Sequence, residues 1–487
     1  MNPAIPRCMS TQHPDNVTVP FFASSPILAG EDEIREAFYA FSHLGCDEQM
    51  WDVEGKDIDA HVIRKFLTFY PDYFSTTVLG RDVRVTLRVP NPLCEKAEAK
   101  ILLETLESIP RSTDTARLFY GTDVVPIFEV IMPMTMSVEC INRVYRYYLH
   151  HISARQDVRL QEDDITIKEW VGDFSPARID VIPLIEDVPT MLRAADIVAE
   201  YLADKEIRDQ RVFLARSDTA MNYGCIAAAL ANKIALARLD ELARRTGVRI
   251  HPILGMGSAP FRGGLTPQTV IRTGAEYPSV VTFTIQSAFK FDYPVEEVRG
   301  ACHYLKTREI KGASPIDAFR ALEILERYSD RYRKVVVSLA PLINLAAKYV
   351  PPRRARKLHI GLFGYARGLD GVSLPRAISF TCALYSLGLP PELIGLDSLT
   401  DEDLSFIRDC YPSFEAKLAQ ALAFADLECP LMGDSLRRAI ERIAPPFEAD
   451  EEHIRLSRHI RASLDKGNTA LTEDLVLRAA RIRRFLG

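Results

Sequence analysis

The segment Arg211-Val212-Phe213-Leu214-Ala215-Arg216-Ser217-Asp218 joins a short apolar β-type run to an arginine and an aspartate, and a helical pattern follows over Ala220–Arg245. Gly247 follows two arginines at the end of that pattern, where a helix C-cap is expected. The same order of apolar run, polar ending and amphipathic helix recurs along the chain. The β-type runs are Gln49–Val53, Val83–Val89, Val125–Ile131, Ile179–Ile185, Arg211–Ala215, Val248–Leu254, Val280–Ile285 and Lys357–Phe363. Helical spacing separates or precedes them, as in Glu31–Leu44, Ile58–Phe69, Glu95–Ser108, Ser137–Leu149 and Met191–Ala203. The runs are nearly continuous in Val, Ile and Leu, as strands buried on both faces should be. Such alternation predicts an α/β protein with parallel strands joined by crossovers.

Eight runs match the strand number of a (β/α)8 TIM-type barrel, and a doubly wound open sheet is the competing arrangement. The strand endings favour the barrel. Active groups in barrels project from the C-terminal ends of strands. The first run leads into Asp52 with Glu54 and the second into Arg88, the third carries Glu129, and the later endings are Glu186-Asp187, Arg216-Ser217-Asp218, a glycine-rich loop, and Gln286 with Lys290. One polar ending is uninformative, because any strand leaves the core through polar residues; the series is harder to dismiss.

Beyond Leu374 the pattern is almost purely helical, over Pro375–Leu387, Asp401–Leu422, Ser435–Ile443, Glu451–Leu464 and Thr469–Phe485. A further helical stretch, Ile316–Tyr349, separates the last two β-runs. No linker isolates a second domain. The expectation is one unit over 1–487, with a barrel at about 46–365, a helical insertion at about 315–350 and many additional, mostly C-terminal, helices from about 375.

The 487 residues are 47% hydrophobic and 26% charged, ordinary globular composition. A net charge of -6 gives no case for nucleic-acid binding. The most apolar segments, around Val124–Met136 and Val335–Val350, are interrupted by Glu, Pro, Asn or Lys, which argues against a membrane span. No signal peptide is evident. The nine cysteines are scattered without a Cys-x-x-Cys pair, so a reducing cytoplasm is expected and a thiolate zinc site is not. His150-His151 closes an aromatic, basic helix and reads as surface or interface.

Two strand endings, Glu186 and Asp218, put carboxylates on adjacent predicted strands. Mg²⁺ is usually held by one or two carboxylates with water and substrate phosphate. A salt bridge or a helix N-cap would use the same residues. Gly255–Gly264 carries glycines and Arg262; glycines let backbone N–H groups approach an anion, and an arginine fork suits carboxylate or phosphate. The loop is neither a Walker motif nor a dinucleotide fingerprint. Near the start, Cys8-Met9-Ser10-Thr11-Gln12-His13-Pro14-Asp15-Asn16 holds a lone histidine that local chemistry cannot distinguish from a solvated one.

Together, Thr11–Asn16, Pro183-Leu184-Ile185-Glu186, Ser217–Gly224 and Gly255–Gly264 resemble the archaeal-type phosphoenolpyruvate carboxylases, from Pro6 to the C-terminus. The larger bacterial and plant carboxylases are a more distant match, extending to Pro375-Arg376-Ala377-Ile378-Ser379-Phe380. Against those larger enzymes, Met256 replaces the first arginine of the glycine loop and Met221 a lysine.

The resemblance implies carboxylation of phosphoenolpyruvate with bicarbonate to oxaloacetate and phosphate, through carboxyphosphate and a pyruvate enolate. It implies Mg²⁺, with Mn²⁺ as a possible substitute, on Glu186 and Asp218. His13 would be the catalytic base, Arg262 would hold phosphate or carboxyphosphate, and Arg88, Arg216, Lys290, Gly257 and Gly263 would contact substrate. It also implies a homotetramer and no nucleic-acid or membrane partner. If His13 acts this way, the segment up to Asn16 should be ordered and fold back over the barrel mouth. A citrate-lyase-like lyase or mutase working through a pyruvate enolate, and a non-catalytic helical scaffold, are the alternative readings.

Overall fold

Eight parallel strands close into a barrel in chain order: β1 (Cys8–Ser10), β2 (Glu48–Asp52), β3 (Arg84–Arg88), β4 (Glu129–Met132), β5 (Asp180–Ile185), β6 (Asp209–Ala215), β7 (Arg249–Gly255) and β8 (Thr282–Ile285). The computed structural model describes residues 4–53, 60–97, 99–357 and 368–487. Side chains alternate along each strand. Met9, Met50, Ile131, Ile182, Leu184, Phe213, Ala215 and Ile253 meet in the barrel lumen, whereas Val130, Val181, Val212, Leu214 and Leu254 pack outward in the main core. Both faces are buried, which is why the runs read as continuous apolar segments rather than alternating ones.

The barrel closes differently from the expectation. Its strands span residues 8 to 285, not about 46 to 365. The eighth strand is Cys8–Ser10 rather than Lys357–Phe363; most of the latter run, like Glu54, lies outside the described residues. Three residues carry too little pattern to signal a strand. Tertiary pairing makes one of them: Cys8, Met9 and Ser10 register with Phe283, Thr284 and Ile285 of β8, and Met9 and Ser10 with Glu48 and Gln49 of β2.

Glu129 also moves. It opens β4 rather than lying inside the run, and it belongs to a buried charge layer at the N-terminal end of the barrel. There Arg211 donates to Glu48 (2.7 and 2.6 Å) and to Glu129 (3.1 Å), and Arg84 donates to Glu129 (2.8 Å). Burial opposes ionisation of Glu48, but the charge and hydrogen bonds of Arg211 outweigh it and hold the carboxyl below its usual range. This layer closes the end opposite the polar strand endings.

The expected helix Ala220–Arg245 is two helices, Ser217–Tyr223 and Cys225–Thr246, broken at Gly224 with φ +87°. The break leaves the short helix carrying Asp218 at the end of β6. The stretch expected over Ile316–Tyr349 is one 30-residue helix, Ala318–Ala347, that braces it. Tyr332 donates to the Met221 carbonyl at 2.9 Å and Ser329 to the Tyr223 carbonyl at 3.1 Å. A Cβ on Gly224 would lie 2.5 Å from the Tyr328 ring. Gly224→Ala is therefore expected to destabilise the protein by about 1–3 kcal/mol through overpacking and backbone strain, read as a lowered melting temperature. An unchanged melting temperature would show that Tyr328 yields freely.

Beyond the long helix, Ala377–Ser386, Asp401–Cys410, Phe414–Leu422, Asp434–Ile443, Glu451–Asp465 and Thr472–Arg483 form a C-terminal helical layer. Among the described residues no single helix is long and apolar enough to cross a membrane.

Candidate active site

A cavity of about 440 Å³ opens at the C-terminal ends of the strands. Its wall includes His13, Asp52, Arg88, Glu186, Asp218 and Arg262, contributed by the ends of six strands or the loops that follow them. This is the barrel end where catalytic groups gather, and the volume suits a small ligand.

His13 stands three residues beyond β1. The segment around it does not drape over the mouth as expected; it continues a barrel strand and is pinned from several sides. Thr11 N–H donates to the Ile285 carbonyl (3.0 Å), and Ser287 N–H to the His13 carbonyl (3.2 Å). Gln12 accepts from Asp52 N–H (2.9 Å), and the Leu486 N–H donates to the Asp15 carbonyl (2.7 Å). The His13 ring is oriented by Nδ1, 2.9 Å from Thr11 Oγ1.

Glu186 and Asp218 follow the adjacent strands β5 and β6 and share the cavity wall. Arg88 lies between acidic groups, donating to Asp52 at 3.1 Å and standing 3.5 Å from Glu186 Oε1. The other Glu186 oxygen accepts from Met134 N–H at 3.1 Å. Two carboxylates facing a solvent-sized space, without a third clustered ligand among the described residues, fit a hard divalent cation that retains water and takes substrate oxygens; they do not form a closed protein cage.

Arg262 reaches the cavity wall but is heavily engaged by protein. It donates to Ser217 (3.0 Å), Asp15 (3.2 Å), Gln286 (2.6 Å) and the Gly487 carbonyl (2.6 Å). Burial pushes the Asp15 carboxyl up and draws the Arg262 guanidinium down, each against the pull of the other's charge. Gly257 and Gly263 do not line the cavity as expected. A Cβ on Gly257 would lie 2.7 Å from the Arg262 guanidinium carbon, and one on Gly263 would lie 2.6 Å from Met256. Both glycines make room for neighbours of the loop.

Two further expectations change. Lys290 is fully buried and points away from the cavity, donating to Ser10 (3.0 Å), the Thr11 carbonyl (2.9 Å) and Glu36 (2.7 Å). The short helix Ser287–Phe291 turns it toward helix Glu31–Ser42, where Arg354 also bridges Glu33 and Glu36. Arg216 lies on the wall with its terminal nitrogens engaged by Tyr277 (2.9 Å), Tyr411 (3.0 Å) and the Cys225 carbonyl (3.2 Å), while its buried Nε has no hydrogen-bond partner among the described residues.

Further cations come from elsewhere. Arg356, Lys357 and Arg376 line the same cavity. Arg376 Nη1 is buried without a hydrogen-bond partner among the described residues, a donor left for something in the cavity. The basic run Arg353-Arg354-Ala355-Arg356-Lys357 after two prolines was the sequence signal for part of this set. Asp15, within the Thr11–Asn16 motif, and Gln286, a strand ending, hold Arg262; the sequence assigned neither of them that part.

A family model described as phosphoenolpyruvate carboxylase matches residues 5–487. The chain belongs to the phosphoenolpyruvate carboxylase family. A relative named phosphoenolpyruvate carboxylase from Methanothermobacter thermautotrophicus is 54% identical over 99% of this chain and 100% of its own. Others from Methanospirillum hungatei and Halobacterium salinarum are 51% and 49% identical over 99% of this chain, covering 100% and 99% of theirs. The family match thus embraces all eight strands, the cavity and the C-terminal helices. Among solved structures, an HpcH/HpaI aldolase/citrate lyase family protein from Burkholderia cenocepacia J2315 aligns with 62% of this chain and 95% of its own, at 12% identity and a TM-score of 0.33, values too low to carry any functional argument.

Proposed function

We propose that this protein carboxylates phosphoenolpyruvate with bicarbonate to oxaloacetate and phosphate in the cavity at the barrel's C-terminal end. The observation that carries the reading is the meeting of His13, Glu186, Asp218 and a cationic wall in one cavity of a chain that matches the family end to end. The citrate-lyase-like and scaffold alternatives are not favoured, because full-length relatives at 46–54% identity all carry the carboxylase name.

Glu186 and Asp218 would hold Mg²⁺, or Mn²⁺ in its place. The chemistry supplied by such an ion is Lewis-acid polarisation of the phosphate and enol oxygens. Both substrates are anions, and the chain answers them with Arg88, Arg356, Lys357 and Arg376 around the carboxylates. Arg262, held by Asp15 and Gln286, presents a fixed positive edge rather than a mobile clamp. A bicarbonate oxygen attacks phosphorus, and the bond from phosphorus to the enol oxygen breaks. Carboxyphosphate and the enolate result. Thr11 Oγ1 holds the ring at Nδ1; in the tautomer that carries its proton there, His13 Nε2 takes the carboxyphosphate proton. CO₂ and phosphate separate, the enolate carbon attacks CO₂, and His13 returns the proton to the departing phosphate. The same reading includes a homotetramer in a cytoplasmic setting.

The test is oxaloacetate formation from phosphoenolpyruvate and bicarbonate, coupled to malate dehydrogenase, with Mg²⁺ present and then removed by EDTA. Activity should require bicarbonate, vanish with EDTA and return with added Mg²⁺. No oxaloacetate under the complete conditions would end the carboxylase reading, and activity that survives EDTA would end the metal assignment. Asp218→Ala should weaken Mn²⁺ binding at least tenfold in a titration without substrate.

A further inference from the structure

Glu186 is fixed through both oxygens. Oε1 faces Arg88, and Oε2 takes the Met134 N–H. Met134 offers that N–H from φ +48°, a left-handed conformation that crowds Cβ against the backbone and favours glycine. A side-chain-bearing residue stays there only where its surroundings hold it. Asn91 supplies the hold. Its fully buried amide donates from Nδ2 to the Pro133 carbonyl at 2.9 Å and to the Met134 carbonyl at 3.2 Å. Its Oδ1 accepts from Leu93 N–H at 3.0 Å, so the amide is locked in one orientation. Thr135 N–H donates to the Leu184 carbonyl at 3.0 Å, tying the same turn to the strand that carries Glu186. Asn91 itself is not on the active-site wall and reaches the site only through this turn.

We propose that Asn91 is a positioning residue for the Glu186 carboxylate: by gripping the Pro133 and Met134 carbonyls, it maintains the left-handed turn whose N–H holds Oε2 in place for a divalent cation. The inference rests on the reading of Glu186 as a metal ligand. Partners one step behind a metal ligand set its orientation, and losing one typically lowers metal affinity 10–100-fold.

The test uses the whole protein and Mn²⁺ alone, titrated by electron paramagnetic resonance without substrate, on Asn91→Ala, Asn91→Ser, Met134→Gly, Asn91→Ala/Met134→Gly and Glu186→Ala. The Asn91 single variants should bind Mn²⁺ about tenfold more weakly. In the coupled assay their Mg²⁺ activation constant should rise in parallel, while kcat at saturating Mg²⁺ stays within about threefold of wild type. Met134→Gly should bind as wild type does. The double variant should return to within about threefold of wild type, because glycine adopts the left-handed conformation unaided. A role confined to general stability would not produce that rescue. Wild-type Mn²⁺ affinity in a folded Asn91 single variant, with binding lost in Glu186→Ala, would overturn the positioning role and leave the metal reading standing. Wild-type affinity in Glu186→Ala would instead overturn the metal reading. Should neither Asn91 single variant fold, the double variant decides: recovered binding supports the proposal, and a tenfold loss or a failure to fold overturns it.

Discussion

His13→Asn is expected to lower oxaloacetate formation by roughly 10²–10⁴-fold, the range of a positioned general base, with little change in melting temperature or Mn²⁺ affinity. Asparagine has a similar reach and a polar end, but no ring nitrogen that titrates near neutrality. The residue is half-buried on the cavity wall, and its backbone carbonyl, bonded to Ser287 N–H, holds the loop whatever the side chain. The loss should therefore be chemical rather than structural. Coupled-assay rates of purified wild type and variant at saturating Mg²⁺ and bicarbonate decide the matter. A variant that carboxylates at near-normal rate would remove His13 from the chemistry.

The second large effect is on stability. Arg211→Met should destabilise the fold by about 3–5 kcal/mol, the cost of breaking a buried ion pair by removing one partner. Arg211 lies inside the barrel and makes two of its bonds to Glu48, while Glu129 keeps Arg84 as a second partner. Glu48 is thus the stranded charge. Its pH signature follows from the shift. In the wild type the folded-state carboxyl lies below its unfolded value, so its stabilising contribution is present above about pH 4.3 and is lost as pH falls through the folded pKa. Without Arg211, burial is opposed only by the Thr86 hydrogen bond and the charge of Arg84, and the same carboxyl should rise. The stability gap between wild type and variant should be widest at neutral pH and narrow in acid, where Glu48 is protonated in both. Glu48→Gln/Arg211→Met should recover part of the loss, because no uncompensated charge remains. A gap that is the same at pH 7 and pH 4 would show that lost packing, not charge, sets the cost.

Several elements were legible because local chemistry repeats. The runs in β5 to β8 are apolar on both faces and sit between helices, and each announced its strand within a few residues. Glu186 and Asp218 were legible as strand endings, because a carboxylate just after an apolar run marks where the chain leaves the core. The single helix expected over Ala220–Arg245 was misread because Gly224 in a helical pattern gives no sign of the Tyr328 ring against it. Asp401–Leu422 likewise splits into helices Asp401–Cys410 and Phe414–Leu422.

Basic residues were the hardest to assign. The resemblance singles out Arg262 for phosphate or carboxyphosphate and leaves Arg88, Arg216 and Lys290 as further candidates for anion contacts. Of these four, only Arg88 stands between the cavity carboxylates; Arg216 and Lys290 are buried in neighbouring hydrogen-bond networks, and Arg262 is held in place by four hydrogen bonds to protein. An arginine's reach spans several ångströms, so where its guanidinium ends depends on partners distant in sequence. Tyr411 lies 195 positions from Arg216, and Asp15 lies 247 from Arg262.

By itself the amino-acid sequence determined the barrel class, the β5–β8 strands, the motif around His13 and the two strand-end carboxylates, because periodicity, turn chemistry and motif spacing are local properties. Tertiary structure alone decided that Cys8–Ser10 is the closing strand, that Glu129 belongs to the floor of the barrel, and that Arg356, Lys357 and Arg376 face the cavity while Lys290 does not. The reason is common to all three. A three-residue strand and the directions of Glu129 and Lys290 are set by hydrogen bonds to residues far away in the chain, and the cavity cations by how distant segments pack around it; a local pattern holds no record of those partners.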